Sequence, residues 1–130
     1  MARICVDLDG VICTLKKPGE TYADVQPIEG VVEKLKALRQ NGHYIIIQTA
    51  RHMKTCNGNV GQVVNKIGAI TLQWLSDHGI EYDEIYFGKP WAELYIDDNA
   101  HRFTSWNFIA DDGSNLPQST ESKHAKQAVV

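Results

Sequence analysis

Cysteine is scarce in this 130-residue chain: Cys5, Cys13 and Cys56 are three in number and show no C-x-x-C spacing. An odd, scattered set of this kind argues against a disulfide framework and against a zinc ribbon. A basic excess is also missing, since 13 Lys and Arg face 16 Asp and Glu for a formal charge of -3. Polyanion-binding proteins usually carry a basic surplus or stripe, so nucleic acid is not the expected partner. Long hydrophobic runs are absent as well: Tyr44 to Ile47 is typical of the longest, and Asp7 and Asp9 interrupt the N-terminus before a signal-like core can form. Such runs are too short to span a bilayer, and a cytoplasmic location without membrane contact is expected. What is present, 43% apolar and 22% charged residues, fits one soluble domain closing a single core.

Ile4, Val6 and Leu8 alternate and meet Asp9-Gly10, which reads as a short strand ending in a turn. Residues 11–26 are irregular, with Lys16-Lys17-Pro18-Gly19 as a turn, and are expected to lie over the strand end as a loop or small hairpin. After Pro27, Val31, Val32, Leu35 and Leu38 recur at helical spacing until Asn41-Gly42. His43 to Gln48 has the unbroken apolar character of a strand buried on both faces of a parallel sheet, and it runs into Thr49-Ala50-Arg51. Following a polar loop, Val60, Val63, Val64, Ile67, Ile70, Trp74 and Leu75 mark one long helical face, bent near Gly68 and closed by His78-Gly79. Two further strands are expected, Glu84 to Phe87 before Gly88-Lys89-Pro90, and Glu93 to Ile96 before Asp97-Asp98-Asn99. Residues 1–110 would form the single domain, with Phe103 to Ala110 packing back on it and 111–130 a flexible tail.

This alternation predicts an α/β fold with a parallel sheet, whose ligands bind beyond the carboxyl ends of the strands. Side chains two apart on a strand share a side, so Asp7 and Asp9 can converge on one ligand, although D-x-D-G alone is often only a solvated turn. A second acidic pair, Asp97 and Asp98, falls at another strand end. Carboxylates crowded together need protons or a cation, and oxygen-only donors favour a hard ion such as Mg²⁺. The Thr49 hydroxyl with neighbouring backbone N–H groups and the Lys89 ammonium, at two more strand ends, suit a phosphate group.

Asp7-Leu8-Asp9-Gly10, Thr49 after Ile-Ile-Ile-Gln, Lys89 in Gly-Lys-Pro and Asp97-Asp98 after Leu-Tyr-Ile resemble the four ordered motifs of the haloacid dehalogenase superfamily of phosphohydrolases. The resemblance spans residues 4–99, about three quarters of the chain. The length and the Gln-Thr-Ala-Arg and Phe-Gly-Lys-Pro-Trp segments are also similar to small phosphatases of bacterial capsule and surface-polysaccharide biosynthesis. The resemblance implies a three-layer, Rossmann-like parallel sheet flanked by helices. It implies a Mg²⁺-dependent phosphomonoesterase in which Asp7 is the nucleophile, Asp9 the acid–base, and Thr49 and Lys89 hold phosphoryl oxygens. Gly10, Ala50 and Arg51 would complete the phosphate site. Mg²⁺ would be held by Asp7, the Asp9 carbonyl and Asp98, with Asp97 acting through water or anchoring Lys89.

Superfamily members often insert a cap domain, but residues 11–26 are too few for one and the 40 positions from Thr49 to Lys89 are filled by a loop, a helix and a strand. A capless site implies a large substrate or a neighbouring subunit as lid, hence a homo-oligomer. A sugar phosphate of polysaccharide precursor synthesis is the expected substrate. A nucleic-acid 3′-phosphate, a phosphoprotein and a non-enzymatic receiver-like phospho-acceptor are the alternatives. Lys16, Lys17 and Lys54 read as solvated loop residues. Trp91 reads as a sugar platform or a subunit contact, and His101 as structural or exposed. Cys13 lies near the site but begins no C-x5-R phosphate loop.

Overall fold

The alternation of Ile4 and Val6 with Arg3, Cys5 and Asp7 is carried directly into the backbone of strand β1 (Arg3–Asp7). The computed structural model describes residues 1–117. In chain order β1 is followed by α1 (Val31–Gln40), β2 (Tyr44–Thr49), α2 (Val60–Val63), a π-helical turn (Val64–Gly68), α3 (Ala69–Asp77) and β3 (Glu84–Phe87). A 3₁₀ turn at Trp106–Phe108 comes last. The three strands are parallel in the order β1-β2-β3, giving an α/β, Rossmann-like architecture. Among the described residues, β1 and β3 are both edge strands.

Register assigns the faces. Ile4 pairs with Ile45 and Val6 with Ile47, which pairs in turn with Ile85, so these apolar residues share one face. That face meets Val31, Leu35 and Leu38 of α1 and Trp74 and Leu75 of α3 in the main core. Each fully buried aliphatic side chain there contributes on the order of 1.5–3 kcal/mol. The opposite face carries Arg3, Cys5, Ile46, Glu84 and Tyr86, and Tyr86 is 54% exposed. Tyr44–Ile47 is therefore buried on one face and not on two, with burial alternating along β2.

Two indole N–H groups tie the segment between β1 and α1 to the core. Trp74 Nε1 donates to the Val25 carbonyl at 2.8 Å and Trp106 Nε1 to the Val11 carbonyl at 2.7 Å. Ile12, Cys13 and Val25 are fully buried, and the ends of the segment pair antiparallel. Cys13 bridges Pro27, the Thr14 N–H donates to the Gln26 carbonyl and the Ile28 N–H to the Ile12 carbonyl, both at 2.8 Å, so this is a small, fixed hairpin-like loop. Among the described residues, no additional domain is inserted there or between β2 and β3.

The long apolar face expected over Val60–Leu75 is split. The π-helical turn ends at Gly68, where a bend was expected, and its extra residue rotates the helical phase. Val63, Ile67, Trp74 and Leu75 are buried, whereas Val60, Val64 and Ile70 are turned outward.

Two further expectations change in the C-terminal third. Glu93–Ile96 forms no strand: Leu94 and Ile96 stand exposed, Ile96 at 93%. Strand propensity becomes a strand only where a ladder partner exists, and no pairing is made there. Trp106 and Ile109 are buried, so Phe103–Ala110 packs back as expected. Residues 111–117 are docked beyond it. Lys34 Nζ pairs with Asp111 at 2.6 Å, His43 Nε2 meets the Asp112 carbonyl at 2.7 Å, and Leu116 packs against the core. The remainder of the expected tail, 118–130, lies outside the described residues. No helix among the described residues is long and apolar enough to cross a membrane.

Candidate active site

Asp7 is the last residue of β1, and its side chain accepts the Leu8 N–H at 3.0 Å. Immediately beyond it the Leu8 carbonyl receives the N–H groups of Ile12 and Cys13 at 2.9 and 3.1 Å, which folds the chain back on itself. Gly10 sits inside that reversal at φ 88°, a left-handed conformation that disfavours any residue with a Cβ. Its N–H is donated to the Cys13 carbonyl at 2.8 Å. Gly10 therefore serves the turn, where the sequence reading had offered it to phosphate.

Thr49 ends β2 and is fully buried. Its hydroxyl donates to Asp9 Oδ2 at 3.3 Å and accepts the Arg51 N–H at 3.1 Å. Its carbonyl accepts both the Gly88 and Lys89 N–H groups at 3.2 Å, which fixes the segment leaving β3. Gly88 turns there at φ 108°. Lys89 Nζ then stands 3.5 Å from Asp7 Oδ2 and 4.1 Å from the centroid of the Tyr95 ring. Asp7, Asp9, Thr49 and Lys89 are thus brought together from the ends of three adjacent parallel strands. Burial pushes the Asp7 carboxyl above its ordinary range, against the opposing pull of the Lys89 charge.

Arg51 occupies a different place from the one expected. The residue is 3% exposed. Its Nε lies 3.1 Å from both Asp9 carboxylate oxygens and its Nη2 lies 2.9 Å from Oδ1. Nη1 donates to Thr71 Oγ1 at 3.1 Å, and Tyr22 covers the guanidinium with its ring centroid at 4.1 Å from Cζ. The guanidinium is thereby committed to Asp9 and Thr71. Ala50 follows Thr49, and its carbonyl accepts the Met53 N–H at 3.0 Å.

Asp97 and Asp98 lie in an exposed bend, where Asp97 Oδ1 accepts the Asn99 N–H at 3.0 Å. Among the described residues no three His, Cys, Asp or Glu side chains converge to hold a metal ion. The expected Mg²⁺ set uses the Asp7 carboxylate, the Asp9 carbonyl and Asp98, only two of them acidic side chains. Mg²⁺ can be held through only one or two carboxylates, with water and phosphate oxygens completing its shell, and Asp7 meets that lesser requirement.

Around the cluster, Lys54 Nζ lies 4.5 Å from the Trp91 ring centroid and Lys16 Nζ 5.8 Å from that of Tyr22. His101 stacks on Phe108 at 5.4 Å. Cys13 is fully buried, and desolvation pushes its thiol up to about 12, which keeps it protonated and unreactive. Tyr22 and Thr71 were missed by sequence reasoning. Thr71 had a readable signal, a polar residue between Ile67 and Trp74 on the apolar stripe, whereas Tyr22 in its irregular loop had none.

No protein-family model matches the chain, and no curated protein matches it. Among solved structures, the chain is similar to a structural-genomics target from Vibrio cholerae at 35% identity, over 96% of this chain and 95% of that one, with a TM-score of 0.72. A component of a Pnkp1/Rnl/Hen1 complex is similar in fold at 21% identity, over 75% of this chain but 31% of that one, with a TM-score of 0.51. A D,D-heptose 1.7-bisphosphate phosphatase from B. bronchiseptica, complexed with magnesium and phosphate, aligns at 17% identity over 67% of this chain and 49% of that one, with a TM-score of 0.46.

Proposed function

The chain belongs to the same family as the Vibrio cholerae protein, and from that premise we propose that it is a phosphomonoester hydrolase working through an aspartyl-phosphate. The observation that carries this reading is the convergence of Asp7, Asp9, Thr49 and Lys89, with Asp7 and Lys89 3.5 Å apart and Thr49 and Asp9 3.3 Å apart. The resemblance of those residues to the ordered motifs of haloacid dehalogenase-type phosphatases supports it.

In this reading an Asp7 oxygen attacks phosphorus while the bond from phosphorus to the leaving oxygen breaks. Asp9, protonated at that moment, gives its proton to the departing alkoxide. Water then attacks the aspartyl-phosphate, Asp9 takes the water proton back, and the Asp7–phosphorus bond breaks. Inorganic phosphate leaves with both carboxyls restored. Lys89 offsets negative charge on the phosphoryl oxygens, while the buried Thr49 hydroxyl, donating to Asp9, helps to hold the acid–base. Mg²⁺ belongs to the proposal: Asp7 would hold it together with water and substrate oxygens, and the ion would supply charge neutralisation between the nucleophile and a phosphate dianion.

A sugar phosphate of surface-polysaccharide precursor synthesis is the substrate class we favour, supported by the capsule-phosphatase resemblance and by the exposed Trp91, two residues after Lys89. With no inserted lid among the described residues, a second copy of the chain covering the site is part of this reading.

The test is phosphate release from sugar phosphates, glycerol phosphate, nucleotides, oligonucleotide 3′-phosphates and p-nitrophenyl phosphate, for wild type and Asp7→Asn, with Mg²⁺ and with EDTA. Release that requires Mg²⁺ and Asp7 is the expected result. No release from any compound, with stable labelling of Asp7 by acetyl phosphate, would replace the hydrolase by a phospho-acceptor.

A further inference from the structure

We propose that Arg51, set in turn by Thr71, is a positioning residue that orients Asp9 for proton transfer, and that it does not bind the substrate phosphate. The inference rests on the reading of Asp9 as the acid–base.

Three observations carry it. First, the Arg51 side chain is 1% exposed and Tyr22 lies over it, so a phosphate oxygen has no approach to the guanidinium from that side. Second, the contact with Asp9 is a fork. Nε and Nη2 together take both carboxylate oxygens, at 2.9–3.1 Å, which fixes the plane of the carboxylate as well as its position. Asp9 stands beyond the end of β1, so its side chain needs such an external restraint to hold one orientation. Third, the fork is itself held. Thr71 accepts from Nη1 at 3.1 Å while donating to the Ile67 carbonyl at 2.8 Å, one turn back in the π-helical segment. Thr71 lies in α3, and its bond back to the π-helical turn holds the hydroxyl that accepts from Arg51, which in turn presents a rigid fork to Asp9. The Cys13 thiol, 3.5 Å from Nη2, closes the remaining side.

Proton transfer matters most when the departing alkoxide is strongly basic and least when it is a stable phenolate. A misplaced Asp9 should therefore slow an alkyl phosphate far more than an aryl one. Weakened phosphate binding should harm both substrates alike and raise KM. The experiment is steady-state phosphate release from glycerol phosphate and from p-nitrophenyl phosphate by wild type, Asp9→Asn, Arg51→Lys and Thr71→Val.

In Arg51→Lys, which keeps the charge and loses the fork, kcat on glycerol phosphate should fall about tenfold more than on p-nitrophenyl phosphate, with both KM values within about twofold. Thr71→Val should shift the same ratio in the same direction by about threefold. It decides the matter alone if Arg51→Lys fails to fold. Equal losses on both substrates, with or without a rise in KM, would overturn the proposal. Failure of the underlying reading looks different: Asp9→Asn would then turn over glycerol phosphate as wild type does.

Discussion

The Lys89 ammonium is held 3.5 Å from the Asp7 carboxylate by two backbone hydrogen bonds that Gly88 and Lys89 donate to the Thr49 carbonyl. The two residues are 82 positions apart, and β2 is the element that joins them. Replacing Lys89 by Met should lower kcat/KM by about 10²–10³-fold, since the positive charge facing the phosphoryl group is lost. Phosphate release measures this, and a change below about threefold would exclude Lys89 from the chemistry.

Thr49 has a structural duty separable from catalysis. Its buried hydroxyl receives the Arg51 N–H and bonds to Asp9. In Thr49→Val the shape is kept and the Arg51 N–H is orphaned, so urea denaturation should show a loss of about 1–3 kcal/mol, alongside reduced turnover.

The two tryptophans that hold the loop between β1 and α1 predict its behaviour under protease. Phe in place of Trp74 removes the donor to the Val25 carbonyl, leaving a buried acceptor unpaired at about 1–3 kcal/mol. Trypsin cleavage after the exposed Lys16 should accelerate in Trp74→Phe, as read by mass spectrometry. Unchanged cleavage would show that the loop is held by its apolar residues alone.

Asp83 makes stability depend on acid. It accepts from Arg39 Nη2 and from the Ile45 N–H, both at 2.8 Å, joining the end of α1 to the start of β2. The Arg39 hydrogen bond, followed by that from Ile45, holds its carboxyl below the ordinary value of 3.8. A folded-state value below the unfolded one gives stability that is full above the ordinary carboxylate range and is lost as pH falls through the depressed value. Asp83→Asn should thus lower Tm by several degrees at pH 7 and by progressively less below about pH 4. A pH-independent gap between the two melting curves would refute this assignment.

Much of the site was legible because its signals are local. Asp7, Thr49 and Lys89 each stand at the end of a short apolar run or in the Gly-marked turn just after it, and strand ends in a parallel α/β fold share one side of the molecule. The partner of Arg51 was not legible: a basic residue beside a phosphate-type threonine reads the same whether it faces substrate or a carboxylate 42 positions away. The outward turn of Val60, Val64 and Ile70 was hidden by the π-helical turn, which breaks the 3.6-residue period on which the reading depended. Glu93–Ile96 failed for the opposite reason, having the composition of a strand without a ladder to join.

The pairing of Asp7 with Gln48, and of Gln48 with Tyr86, has a further implication for how such a chain tolerates change. Insertion of one residue anywhere within β1 or β2 would exchange the two faces from that point to the strand end. A core side chain would take the place of Asp7, or Thr49 would move out of its buried position. The connections at the opposite end of the sheet, such as Asn41-Gly42, bear on no strand end that carries chemistry. Length variation among related chains should accordingly be confined to those turns and to the loops over the site, with the strands themselves free of insertions and deletions.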